Sequence, residues 1–277
     1  MNRLKYGPGR KLVLFMTWLS WPIIIAAKRL SSYPVVRHII NPFFAYPWNE
    51  VTVVPINQEV TPPDSVVMPR QVVEELVSNV SDIFIIDECI CRNIEGCSSY
   101  PKNIGCIALG GAISRMHPSH GRKATQEEAI VHIQKAAGAG LVANVAHTWI
   151  DPFAFGLTKF SRLMFICFCD DCCCMYRTHM KKRGVNLDKA YKGLPGISIE
   201  IDQTKCDGCA ICTDQCFAGA MELRDEIAVP GTSCKACGRC IDVCPKEAVT
   251  LNMDDTSVVY KQLADRIKAV ADIWSEE

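Results

Sequence analysis

Between Cys206 and Cys244 the chain writes one pattern twice: Cys206-x2-Cys209-x2-Cys212-x3-Cys216, then, 28 residues on, Cys234-x2-Cys237-x2-Cys240-x3-Cys244, the second followed by Pro245. Spacing this short and regular is an internal duplication, and no other feature narrows the possible folds as much. Short apolar segments bracket each tract: Ile197 to Ile201 and Ala220 to Leu223 around the first, Ile227 to Val229 and Ala248 to Leu251 around the second. Each reads as a strand, so residues 197–252 are expected to form a small α+β unit with pseudo-twofold geometry.

Cysteine usage gives the chemistry. The chain holds 17 cysteines in 277 residues, and two readings compete: a disulfide scaffold in a secreted protein, or thiolates holding metal in a reducing compartment. Tight Cys-x2-Cys repeats suit chelation, and an odd count would leave a secreted chain with an orphan thiol. Zinc sites use two separated pairs rather than three close cysteines and a crossed fourth. Three thiolates two residues apart can grip three irons of one cubane, while the fourth, past a turn, reaches the other cluster. One [4Fe–4S] cluster is therefore assigned to Cys206, Cys209, Cys212 and Cys244, the other to Cys234, Cys237, Cys240 and Cys216. Small residues at Gly208, Ala210 and Gly238 keep the loops close to the sulfides.

On these residues the segment resembles the bacterial-type dicluster ferredoxin family. One departure is Phe217 after the first tract, where the second keeps Pro245; a phenylalanine there is expected to shield the cluster and alter its potential. The resemblance implies low-potential, one-electron transfer between redox partner proteins.

Nine more cysteines fall in the region 71–196. Cys89, Cys91, Cys97 and Cys106 follow an apolar strand at Ile83 to Ile86, and Cys167, Cys169, Cys172, Cys173 and Cys174 crowd into eight residues. The first four suffice for a third iron–sulfur cluster or for one zinc; a disulfide, a catalytic dithiol or free thiols stay open. Five cysteines exceed one ordinary cubane. That run can divide between two centres, or join Cys89 and Cys91 across neighbouring strands. With Cys89-x-Cys91-Arg92, Gly121-Arg122, Glu127-Glu128-Ala129 and Gly140-Leu141-Val142, this region is similar to multi-cysteine ferredoxin-like proteins of anaerobic microbes. The similarity widens the cofactor count and names no substrate. If the cysteine run is catalytic, a reactive, low-pKa thiolate is expected among Cys172, Cys173 and Cys174.

The rest of the middle region alternates helix and strand signals. Val72, Val73, Leu76 and Val77 have helical spacing; Thr125-x2-Glu128 is a capping box opening a helix to Ala137, stopped by Gly138 and Gly140; Leu163 to Cys169 reads as a buried strand. The domain is α/β or α+β. His117 and His120 sit in a loop and read as solvated rather than ligating. No G-x-G-x-x-G or P-loop motif is present.

Five segments result: an apolar segment (1–30), a Pro-rich extended arm (31–70), the Cys-rich middle domain (71–196), the duplicated unit (197–252) and an amphipathic C-terminal helix (253–277) carrying Val259, Leu263, Ile267, Val270 and Trp274 on one face. In the first, Leu12 to Ala27 contains Trp18 and Trp21 between basic flanks that include Arg3, Arg10, Lys28 and Arg29. Sixteen helical residues reach ~24 Å, short of a ~30 Å hydrocarbon core. The flanks and tryptophans fit a segment lying on the cytoplasmic face of a membrane; a signal sequence and a buried core helix are the alternatives. A net charge of zero argues against a nucleic-acid partner. The expected function is that of an iron–sulfur electron-transfer protein or oxidoreductase subunit. Its rivals are an enzyme whose middle cysteines are catalytic, and a redox sensor.

Overall fold

The computed structural model describes residues 5–60, 68–181 and 183–274; Arg3 and the Pro62-Pro63 pair lie outside them. The chain is mixed α/β, built around a seven-stranded sheet in the order β4-β2-β3-β6-β5-β1-β7. Its strands are β1 (Asn49–Val54), β2 (Ile83–Ile86), β3 (Ile107–Leu109), β4 (Gly121–Lys123), β5 (Val142–Thr148), β6 (Met164–Cys169) and β7 (Tyr191–Gly193). Neighbours run antiparallel except β1 and β7, which are parallel.

Alternation of side chains across each strand divides the molecule into layers. Ile83 and Ile85 of β2, with Ile166 and Phe168 of β6, point to one core, shared with helices α3 (Arg70–Ser78), α5 (Gln126–Gly138) and α10 (Thr256–Lys268). Phe84, Ile86, Phe165, Cys167 and Cys169 point to the other. That second face is covered by α1 (Arg10–Leu30), α4 (Ile90–Ile94) and α6 (Ile150–Phe155). The shorter turns α2 (Arg37–Ile40) and α7 (Val185–Ala190) close the β1–β7 end.

Several helices begin and dock as their sequences require. Thr125 accepts from the Glu128 backbone N–H and Glu128 from the Thr125 N–H, completing the capping box of α5. Val72, Val73, Leu76 and Val77 bury one face of α3, against which α10 lays Val259, Leu263 and Ile267. Two expectations need correcting. The arm over 31–70 is not simply extended: it forms α2, a 3-10 turn at Asn41–Phe44, and β1, which is paired on both sides. The six residues of β1 contain no proline; Pro47 and Pro55 stand outside it, where no ladder N–H is needed. The apolar helix runs 21 residues rather than 16, about 31 Å at ~1.5 Å per residue. By length and composition it can cross a membrane. Yet Val13, Trp21 and Lys28 are buried against the protein, so only Trp18 of the two tryptophans is exposed.

Residues 197–253 form a compact pair of hairpin-like sheets. β8 (Ile197–Ile201) pairs antiparallel with β11 (Val249–Met253), and β9 (Met221–Arg224) with β10 (Ile227–Pro230). Short helices α8 (Ile211–Gln215) and α9 (Arg239–Asp242) occupy equivalent places. The repeat extends to backbone shape. Gly208 and Ala236 are both left-handed, as are Ala210 and Gly238, and Gly219 and Glu247. One member of each pair is not glycine, at a cost of roughly 1–2 kcal/mol per position for L-residues. Phe217, Ala218 and Ala220 seat the unit on Val51, Val53 and Tyr191.

Candidate metal centres

In the duplicated unit the eight cysteines fall into two sets. Cys206, Cys209, Cys212 and Cys244 line one small cavity. Cys216, Cys234, Cys237 and Cys240 line the other. Each set takes three cysteines from one tract and the last from its twin, because the short helix within each tract, α8 or α9, carries the chain from the third cysteine to the fourth at the opposite end. Backbone N–H groups already address these sulfurs: Ala220 N to Cys216 Sγ at 3.2 Å and, by the repeat, Ala248 N to Cys244 Sγ at 3.3 Å. Ala228 and Ala236 donate likewise to Cys206 and Cys234, at 3.5 and 3.4 Å. Such donors stabilise charge on sulfur ligands.

The nine middle cysteines regroup relative to their order in sequence. Cys97 leaves Cys89, Cys91 and Cys106 and joins Cys172 and Cys173. The Cys97 and Cys172 sulfurs stand 3.7 Å apart and those of Cys172 and Cys173 3.2 Å apart. One ligand atom from each of Cys97, Asp170, Cys172 and Cys173 lies within 4.8 Å of the other three, a group that can hold a metal ion. A tetrahedral ion with ~2.3 Å metal–sulfur bonds sets its sulfurs about 3.8 Å apart, which the Cys97–Cys172 spacing matches, while Cys172 and Cys173 would have to part slightly.

Asp170 organises this group. Its Oδ1 accepts from the N–H of Cys172 at 3.0 Å and of Cys173 at 2.5 Å. Its Oδ2 meets Arg92 Nη1 at 3.2 Å, with both side chains fully buried. Arg92 also donates to the carbonyls of Phe168 and Ile104, tying the Cys89–Cys91 turn to the cysteine loop. In the sequence Arg92 is only the end of a Cys-x-Cys-Arg string; its place against Asp170 comes from the fold.

The other six cysteines neighbour one another in pairs that influence each other's ionisation: Cys89 with Cys91, Cys106 with Cys167, and Cys169 with Cys174. The period of β6 explains it: Cys167 and Cys169 share the face that Cys106, just before β3, also meets. Six thiols exceed the need of one cubane by two. A bond from Cys91 brings the Cys89 thiol down to about 6, helped by Arg92 and against burial. Burial opposes ionisation of Cys97, but bonds from Cys173, Tyr100 and Ser99 outweigh it and lower its pKa. Cys172, the exposed member of the run, is pushed up to about 11 by burial and by Asp170, and Cys173 rises further. The surroundings thus favour the thiolate form at the buried Cys89 and Cys97 and disfavour it at Cys172 and Cys173.

A ladder of charge joins the middle cysteines to the duplicated unit. Asp171 pairs with the buried Arg177 and with Arg239 of α9, and Arg177 reaches the Sγ of Cys237 at 3.6 Å. Arg177 also stacks over Phe217, 4.0 Å from the ring centroid. Lys28 of α1, buried, donates to the carbonyls of Met175 and Thr178 just past the cysteine run. The histidines hold backbone or hydroxyl groups instead of converging: His120 meets Pro8 O at 2.9 Å, while His117 Nδ1 meets Ser119. On the α1 side, Asp151 Oδ2 accepts from Thr148 Oγ1 at 2.7 Å and from the Tyr176 hydroxyl at 3.3 Å. Burial pushes this carboxyl up to about 6 despite both bonds. Neither Asp151 nor Tyr176 carries a motif in the sequence. No protein-family model, curated protein or solved structure matches the chain.

Proposed function

We propose that the chain is an iron–sulfur electron-transfer protein. Two [4Fe–4S] clusters occupy the duplicated unit, one on Cys206, Cys209, Cys212 and Cys244, the other on Cys216, Cys234, Cys237 and Cys240. The observation that carries this reading is the pair of four-cysteine cavities, each completed by a cysteine of the other tract. Low-potential electrons pass between redox partner proteins, and the Arg177–Asp171 contact offers a short route to the middle cysteines. The molecule docks on the cytoplasmic face of a membrane through the exposed side of α1. Anaerobic purification with iron, sulfide and zinc analysis and EPR tests it. About eight irons on residues 197–253, and two interacting cubane signals, are expected; a preparation holding only zinc overturns it.

A second reading, an oxidoreductase whose middle cysteines are catalytic, is favoured by one observation. Six thiols in the second group, with Cys89 low, leave sulfur beyond what a relay cluster takes. Electrons entering through the duplicated unit would then be consumed at that group.

A further inference from the structure

A cavity lies between α1 and the cysteine-bearing face of the sheet. It holds about 450 Å³, within the ~300–1,000 Å³ typical of small-molecule sites. One wall is thiol: Cys89, Cys91, Cys106 and Cys167. Another is apolar, from Leu19, Ile23 and Ile24 of α1 and Phe153 and Ala154 of α6. Between them stand Asp151 and Tyr176, whose side chains are bonded to each other. A second cavity of about 300 Å³ adjoins it, sharing Ile23, Ile24, Trp149, Ile150, Met175 and Tyr176.

Three features limit what fits. The mouth is apolar: Leu19, Ile23 and Phe153 are 61 %, 70 % and 70 % exposed on the same side of the molecule. A ligand arriving there comes from a lipid phase or carries a hydrocarbon tail. The inner wall is redox-competent, which a plain lipid does not need. The hydrogen-bonded Asp151–Tyr176 pair is a polar spot in an otherwise apolar room, against which a ring carbonyl can turn, a donated hydrogen reaching it when the Tyr176 hydroxyl turns from Asp151. A planar ring bearing two carbonyls, with an isoprenoid tail, meets all three.

We propose that this cavity binds a lipophilic quinone, its ring set against Cys106, Cys167 and the Asp151–Tyr176 pair and its tail along α1 into the second cavity. The proposal rests on the electron-transfer reading above and gives it an acceptor. The quinone would take two electrons, one at a time, from the two reduced cubanes that the eight cysteines of the duplicated unit would hold, each returning to its oxidised level. Two O–H bonds form on the ring oxygens. Both protons come from solvent.

The test uses the full-length protein, purified anaerobically in detergent, and reads binding by titration calorimetry. The probes are a short-tailed naphthoquinone and an isoprenoid alcohol with the same tail. Saturable quinone binding is expected, at least tenfold tighter than that of the alcohol. Ala154→Phe, which fills the room, weakens it tenfold or more. Leu19→Arg, at the exposed rim where folding is not at stake, does the same and decides the matter if the first variant misfolds. Equal affinity for quinone and alcohol, absence of saturable binding, or unchanged affinity in Leu19→Arg overturns the proposal. Iron content and EPR on the same preparations separate the two ideas. Intact clusters without quinone binding sink only this inference, whereas absent clusters sink the electron-transfer reading.

Discussion

Arg177 and Cys237 are 60 residues apart in sequence, yet the guanidinium stands 3.6 Å from the thiol sulfur, sealed from water beneath Phe217. Burial works against the charge of Arg177, and Cys237 and Asp171 outweigh it. The contact sets a buried guanidinium beside one of the two four-cysteine cavities, whereas the cation lining the other, Lys246, is exposed and paired with Asp207. A cation near a cluster favours the reduced, more negative state. Arg177→Leu is therefore expected to lower the potential of the centre on Cys216, Cys234, Cys237 and Cys240 by about 60 mV or more, one tenfold step for a one-electron couple. The other centre should stay where it was. EPR-monitored redox titration reads both; equal shifts in the two would show that the contact does not act locally.

Crossed ligation is tested at Cys216. Although it belongs to the first tract, it faces the cavity of Cys234, Cys237 and Cys240, so Cys216→Ala should remove about four irons and the signal of that centre alone. Loss of the centre on Cys206, Cys209 and Cys212 instead would mean that each tract serves itself.

For the group around Asp170, Cys97→Ser is expected to cost one metal equivalent while the eight irons of the duplicated unit remain. Asp170→Asn should be harsher. It leaves Arg92 buried opposite a neutral amide, and breaking such a pair costs roughly 3–5 kcal/mol. Metal analysis and anaerobic thermal unfolding separate the two effects. A Cys97→Ser protein with undiminished metal would rule out that residue as a ligand.

Asp151 gives a pH dependence. Its carboxyl titrates at about 6 when folded against 3.8 ordinarily, because burial penalises the charge more than the hydrogen bonds from Thr148 and Tyr176 favour it. Between those values the folded chain holds a proton that the unfolded chain has released. The contribution of this group thus favours folding below about pH 4 and is lost as pH rises through about 6. Asp151→Asn should match the wild type near pH 4 and have the higher Tm at pH 7.5, with the gap opening between. A gap that is the same at both pH values would show that the carboxyl is not buried in its charged form.

Much of this arrangement is legible in the sequence where one residue's neighbours decide its state. The tract spacing, the capping box at Thr125 and the alternation in Met164–Cys169 each specify local geometry, and the elements form there. The middle cysteines are different. Cys97 lies within eight residues of Cys89 in sequence but meets Cys172 in space, since the turn Ile90–Ile94 carries it past Arg92 to the far side of the loop. Pairings of that kind depend on which strands become neighbours, and β3 beside β6 is a long-range fact. The proline count over 31–70 also misleads. It averages over a segment in which the prolines flank Asn49–Val54, the proline-free part that enters the sheet.

Membrane docking is best tested on residues that touch neither a cysteine nor the cavity. Deleting residues 1–30 is too blunt, because it removes Lys28 from the carbonyls of Met175 and Thr178 and uncovers the thiol wall. Phe15 and Trp18 are 58 % and 59 % exposed, stacked on each other at 6.3 Å between ring centroids, and point away from the protein. Burying a large apolar side chain in a lipid interface contributes about 1.5–3 kcal/mol, so Phe15→Glu and Trp18→Glu should each weaken partitioning by about tenfold or more. Cosedimentation with anionic vesicles measures it, and unchanged iron content and Tm confirm that the fold persists. Because Arg10 and Lys11 lie at the start of the same helix, binding should also fall as salt is raised. Wild-type protein that stays in the supernatant with anionic vesicles at low salt would sink the docking idea and turn the exposed face of α1 toward a protein partner.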